Sequence, residues 1–141
     1  MQVSPYLFFS GDCQTAFQFY EKLLGAKIVA MLPHAGTPAA EQVPADWDDK
    51  IMHACMMIGE TTLMASDCPP DRFEKSQRTK ISLQIEEPSE AERIFAGLSE
   101  SGHIEMPLQE TFWARRFGMV TDRFGTAWMI NCGKPELEGC D

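Results

Sequence analysis

A surplus of positive charge is what this chain most plainly lacks: 12 Lys and Arg stand against 21 Asp and Glu, for a formal net charge of −9. A field of that sign repels phosphate backbones and anionic headgroups, and no stretch gathers a basic patch against it, so nucleic acid is not an expected partner. No apolar run approaches the roughly 20 residues of a membrane span. Met1–Ser10 holds no positive segment leading into a signal-type apolar core, and the expectation is a cytoplasmic protein with no membrane partner. The five cysteines, Cys13, Cys55, Cys68, Cys132 and Cys140, are odd in number, widely spaced and without a C-x-x-C pair, which argues against a disulfide framework and against a structural zinc site. Reduced thiols are expected. A phosphate-binding loop and a Ser/His/Asp signature are also missing.

What is present suits one folded domain, alone or in a homo-oligomer. The 141 residues can bury a real core, and 44% hydrophobic with 23% charged residues leaves too little polar bias for disorder. Pro5–Phe9 has strand length and is closed by Ser10-Gly11-Asp12. From Asp12, a plausible N-cap, Ala16, Tyr20, Leu23 and Leu24 recur at helical spacing, and Gly25 supplies a left-handed end. Lys27–Leu32 is extended. Pro33, Pro38 and Pro44 then break regular structure as far as Asp49, a long exposed loop that could serve as a lid. Lys50–Ile58, Gly59-Glu60 and Thr61–Ser66 read as a hairpin.

After a polar, proline-broken connection, Asp67 to Arg78, the pattern returns. Thr79–Ile85 reads as a strand, and Ser89 with Glu92 reads as a capping box before the helical stripe Ala91, Ile94, Phe95 and Leu98, ending near Gly102. An offset of 76 sets Leu7 on Leu83, Phe9 on Ile85, Phe19 on Phe95 and Ile28 on Ile104. An offset of 66 sets Gly59 on Gly125 and Met64 on Ile130. The economical explanation is a duplicated βαβββ unit, with module one at about 4–67 and module two at about 79–132. The expected fold class is therefore α+β: two tandem βαβββ modules forming a concave mixed sheet with helices on its outer face.

Several stretches also resemble a family: Tyr6-Leu7-Phe8-Phe9, Ala16-Phe17-Gln18-Phe19-Tyr20, Leu24-Gly25-Ala26, Lys50-Ile51-Met52-His53-Ala54, the segment from Met106 to Trp113, and Arg116-Phe117-Gly118 through Asp122-Arg123-Phe124-Gly125 to Asn131. They look like the PhnB-like branch of the vicinal oxygen chelate superfamily, the glyoxalase, bleomycin-resistance and extradiol-dioxygenase group. The likeness runs from about Ser4 to Cys132. It implies paired modules, often assembled as homodimers. A methyltransferase role finds no support, since no glycine-rich nucleotide-binding turn is present.

The resemblance further implies a divalent metal held by the first and fourth strand of each module. The corresponding stretches are Tyr6–Phe9, Leu63–Asp67, Lys80–Glu86 and Trp128–Cys132; they hold no histidine, and only Tyr6, Asp67, Gln84, Glu86, Asn131 and Cys132 could coordinate. The expected metal positions therefore give a divalent cofactor no support.

The candidate chemistry lies elsewhere. Alternation along Lys50–Ile58 puts His53, Cys55 and Met57 on one face, where a His-x-Cys pair suits acid–base work or metal ligation and His53 is the catalytic candidate; a hydrogen-bonded histidine near the core is the plainer alternative. His34, in the proline loop, and His103, after a helix end, are expected at the surface. Trp113, Arg115 and Phe117 share a face if extended, with Arg116 opposite, which would set a guanidinium between two rings to bind a small anionic or planar ligand. A salt bridge from an arginine to Asp122 is the alternative. Trp128 is added to the ligand-binding set, against the plainer view of it and the methionines as core. Trp47, in the long loop, could cover a ligand. The leading function is binding or transforming a small metabolite. A metal-free sequestering protein and a metal-dependent lyase, isomerase or dioxygenase stand behind it, and one scaffold can host all three.

Overall fold

The computed structural model describes residues 1–74 and 78–134; Cys140 and residues 75–77 of the connection lie outside them. The chain divides into two compact units between Glu74 and Lys75. Module one contains β1 (Tyr6–Phe9), α1 (Cys13–Leu24), β2 (Lys27–Pro33), β3 (Ile51–Ile58) and β4 (Thr61–Asp67), with the sheet in the order β1-β4-β3-β2. Module two contains β5 (Ile81–Gln84), α2 (Pro88–Ser99), β6 (His103–Gln109), β7 (Ala114–Thr121) and β8 (Ala127–Gly133), in the order β5-β8-β7-β6. In each sheet the first strand runs parallel to the fourth and the other pairs are antiparallel. The α+β architecture of tandem βαβββ modules is thus the observed one.

Each helix covers one face of its sheet. In α1 the stripe Cys13, Ala16, Phe17 and Tyr20 is fully buried, and Phe9, Ala54, Met56, Leu63 and Ala65 are buried on the strands. Complete burial of a side chain such as Phe17 is worth about 1.5–3 kcal/mol. In α2 the stripe is Ala91, Ile94, Phe95 and Leu98, and the buried strand residues include Val120, Trp128, Ile130 and Cys132. Period-two alternation leaves the other sheet face uncovered by its own helix. That open face carries Tyr6, His53, Cys55 and Met64 in module one, and Ser82, Gln84, Phe117, Met119, Met129 and Asn131 in module two.

Gly25 ends α1 at φ 66°, as its sequence position predicts. Asp12 occupies the N-cap position, where its carbonyl accepts from Ala16 N–H at 2.9 Å but its side chain makes no cap hydrogen bond. Asp67 supplies it from the end of β4: its Oδ1 accepts from the backbone N–H groups of Gly11 and Cys13 at 2.9 and 3.0 Å, and its Oδ2 accepts from Ile51 N–H at 2.9 Å. The carboxylate thereby satisfies orphan donors at a helix start from 54 residues away. The predicted capping box at Ser89 is not formed. Pro88 takes the first helical position after Glu87, because its missing N–H and fixed φ suit the first turn.

The offsets of the repeat also need correction. At β1/β5 and β2/β6 the offset of 76 fits, since Leu7 and Leu83 face Ala65 and Ile130, and Ile28 and Ile104 face the buried Met56 and Val120. On the helices the buried stripes superpose at 78, so Phe95 corresponds to Phe17 and not to Phe19. Between β4 and β8 the ladder gives 65, Ala65 on Ile130, because an offset of 66 would exchange the buried and open faces. The difference sits in the hairpins: Ile58 pairs with Thr61 across two residues, whereas Thr121 pairs with Ala127 across five.

The proline loop carries two short 3-10 turns, Pro38–Gln42 and Ala45–Trp47. His34 within it is buried, not at the surface, because its Nδ1–H donates to Lys50 O at 2.8 Å. His103 is exposed as expected.

A candidate ligand face on module two

The extended segment through Trp113 and β7 brings Trp113 and Phe117 together, with ring centroids 5.3 Å apart in an edge contact, and Phe112 meets Trp113 edge-on at 4.7 Å. This contact leaves no room for a guanidinium between the rings, so the expected aromatic sandwich around Arg115 does not form. Arg115 reaches instead to the strand ends: Nε donates to Gly133 O at 2.9 Å and Nη2 to Glu86 O at 2.7 Å. Among the described residues its hydrogen-bond partners are neutral carbonyls, and no carboxylate is paired with it. Arg116 lies on the opposite face, where Nε pairs with Glu92 of α2 at 3.0 Å. The suggested arginine partner, Asp122, accepts from its own turn and from Trp128. Its Oδ1 accepts from Phe124 and Thr126 N–H, and its Oδ2 accepts from the Trp128 indole at 2.8 Å. Trp128 is fully buried on the helix side, so its ring belongs to the core and offers no ligand surface.

In the centre of the open face, Asn131 of β8 stands between Gln84 of β5 and Phe117 of β7. Asn131 Nδ2 donates to Gln84 Oε1 at 2.7 Å, and Gln84 Nε2 donates to Ser82 Oγ at 3.0 Å. Asn131 Oδ1 is buried without a hydrogen-bond partner among the described residues. Sequence reasoning placed these amides only among possible metal donors. Their signal was the strand alternation that buries Trp128 and so turns Asn131 to the side of Phe117.

His53 belongs to module one. Its Nδ1 lies 3.2 Å from the Tyr6 hydroxyl, with the rings 5.8 Å apart, and it stands on the open face with Cys55 and Met57, as its spacing predicts. An open cleft of about 410 Å³ also lies in this module, between Gln14, Met31, Pro33 and Ile51 and the loop residues Ala35 and Asp48. None of the five sequence-assigned site residues lines it. Trp47 packs beside Gly11, 3.9 Å from where a Cβ would stand there.

The donors at the expected metal positions do not fit a divalent ion. Asp67 is spent on three backbone amides, Gln84 Oε1 accepts from Asn131 Nδ2 and leaves Asn131 Oδ1 a lone neutral oxygen, and Cys132 lies on the helix side donating to Glu86 O at 3.3 Å. Among the described residues no three His, Cys, Asp or Glu side chains are grouped to hold an ion.

The fold agrees with comparisons to known proteins. Residues 2–130 match the family model of the Glyoxalase/Bleomycin resistance protein/Dioxygenase superfamily. The chain belongs to this superfamily. Protein YjdN of Escherichia coli strain K12 is 37% identical to the chain over 144 residues, covering 96% of this chain and 98% of that protein. The crystal structure of protein PA1353 from Pseudomonas aeruginosa has 49% identity and a TM-score of 0.85, over 94% of this chain and 98% of that one. A structure from Bacillus cereus, described as a putative 3-demethylubiquinone-9 3-methyltransferase, PhnB protein, shares the superfamily fold at 21% identity and a TM-score of 0.81, over 94% of this chain and all of that one. No described helix is long and apolar enough to cross a membrane.

Proposed function

We propose that the open face of module two binds a small, planar metabolite that carries a hydrogen-bond donor and an anionic group. The observation that carries this reading is Asn131 Oδ1, a buried acceptor with no partner among the described residues. An unpaired buried amide oxygen costs about 1–3 kcal/mol, which a ligand N–H or O–H would recover. Phe117 lies directly across the ladder from Asn131 and is in edge contact with Trp113, so a flat ligand bonded to Asn131 would meet aromatic surface. Arg115, which has no carboxylate partner among the described residues, supplies attraction for an oxyanion against the chain's net charge of −9. Binding without turnover is the reading the geometry supports best, because every polar group of this face named above is an amide, a hydroxyl or a guanidinium, none of which is an ordinary general acid or base.

The test is a thermal-shift screen of planar heteroaromatic carboxylates, followed by calorimetric titration of the hits. Asn131→Ala, Phe117→Ala and Arg115→Ala should each weaken binding by about tenfold or more, since 1.4 kcal/mol is tenfold, while Trp128→Phe should leave the affinity unchanged. Hits that bind all three variants like the parent chain would refute the assignment. Acid–base turnover at His53 is a second reading, favoured by the Tyr6 hydroxyl at its Nδ1; it requires a reaction that His53→Ala abolishes while binding persists. A cytoplasmic homodimer completes the proposal, to be checked by sedimentation equilibrium.

A further inference from the structure

The open face of module one holds a different chemistry, independent of the ligand proposed for module two. His53, Cys55 and Met57 alternate along β3 with the buried Ala54 and Met56, so they emerge together away from α1. Cys55 stands directly opposite Met64 of β4, and Met64 in turn stands opposite Tyr6 of β1. The hydroxyl of Tyr6 meets His53 Nδ1 at 3.2 Å, which closes a ring of four side chains: Cys55, Met64, Tyr6 and His53. Opposed residues have Cβ atoms about 4.5–5.5 Å apart, and alternate residues of one strand are about 7 Å apart. A thiol, a thioether and an imidazole can therefore converge on one point. Cys55 is free of any disulfide and only partly buried. Met57 is set apart, because Thr62 Oγ1 donates to its sulfur at 3.3 Å.

No Asp, Glu, Lys or Arg belongs to this ring. A hard divalent cation finds no carboxylate there, whereas thiolate and thioether sulfur select soft monovalent ions. We infer that Cys55, Met64 and His53 form a binding site for monovalent copper. Cys55 releases its thiol proton to solvent when the ion binds, Met64 donates sulfur, and His53 donates Nε2 when Nδ1–H is given to the Tyr6 oxygen. Tyr6 is a positioning residue that sets the imidazole tautomer. The copper stays monovalent throughout, so no electron transfer is needed.

The test titrates the full chain, anaerobically and with reductant, into the coloured copper(I)–bicinchoninate complex. One equivalent of copper should leave the chelator. Cys55→Ser and Met64→Leu should each abolish this withdrawal, Tyr6→Phe should weaken it by about tenfold, and Cys68→Ser should withdraw copper as the parent does. A second readout uses silver(I) with methyl-labelled methionine: the Met64 methyl resonance should shift and that of Met57 should stay. If circular dichroism shows Cys55→Ser unfolded, Met64→Leu and the silver spectra decide. Copper remaining wholly with the chelator, or Cys55→Ser and Met64→Leu withdrawing it like the parent, overturns the site.

Discussion

The two modules solve the same packing problem with different side chains, and the differences mark where each is free to do something else. Both hold a buried carboxylate that accepts at least three hydrogen bonds. Asp67 collects its donors from the start of α1 and the start of β3, across 16 to 56 residues, whereas Asp122 collects them from its own hairpin and from Trp128, within six residues. The first carboxylate ties distant elements of module one together, and the second shapes one turn and one ring. The helix-facing pair Ala54 and Ala65 in module one corresponds to Gly118 and Ile130 in module two, so one module balances two small side chains and the other a missing one against a large one.

The largest effect should come from Asp67→Ala. It strands three backbone donors in the interior, and urea denaturation should show a loss of about 3–5 kcal/mol. Asp122→Ala should cost less, about 2–4 kcal/mol, because its backbone donors lie within one hairpin turn and one of them, Phe124 N–H, is only part-buried. Equal losses would show that the long-range span of Asp67 adds nothing.

Gly118→Ala tests the small-against-large balance. A Cβ there would stand 2.8 Å from the Phe95 ring and 3.0 Å from Leu108 Cα, and overpacking of this kind costs about 1–3 kcal/mol. Phe95→Leu in the same chain should recover part of it, and a double-mutant cycle without coupling would break the correspondence with Ala54.

The smallest effect belongs to module two's surface pair. Lys80 Nζ lies 2.5 Å from Glu105 Oε2, and hydrogen bonds from Lys80 and then Thr121 hold the Glu105 carboxyl below its ordinary range. Its contribution to stability is present above the unfolded-state value and is lost as the pH falls through the depressed folded value. Melting temperatures of Glu105→Gln and the parent should therefore differ near neutrality, by less than about 1 kcal/mol of stability, and converge in acid. A difference that persists at low pH would show that the glutamine acts by another route.

The sequence by itself determined the element order, the duplicated βαβββ plan, the left-handed glycine at the end of α1, and the open-face placement of His53 and Cys55. These are local or periodic properties, written in spacing that a strand or helix must obey. Only the tertiary structure decided the rest. The helix offset of 78 and the strand offset of 65 depend on which face meets the core, and one residue of hairpin length exchanges those faces. The cap from Asp67, the burial of His34 under the proline loop, the indole of Trp128 on Asp122 and the turn of Arg115 to two carbonyls all join residues that no window of sequence places side by side. Such polar groups take whichever partner the fold delivers, because burial makes an unpaired donor or acceptor costly. Asn131 Oδ1, to which the described residues deliver none, is where that rule points outward to a ligand.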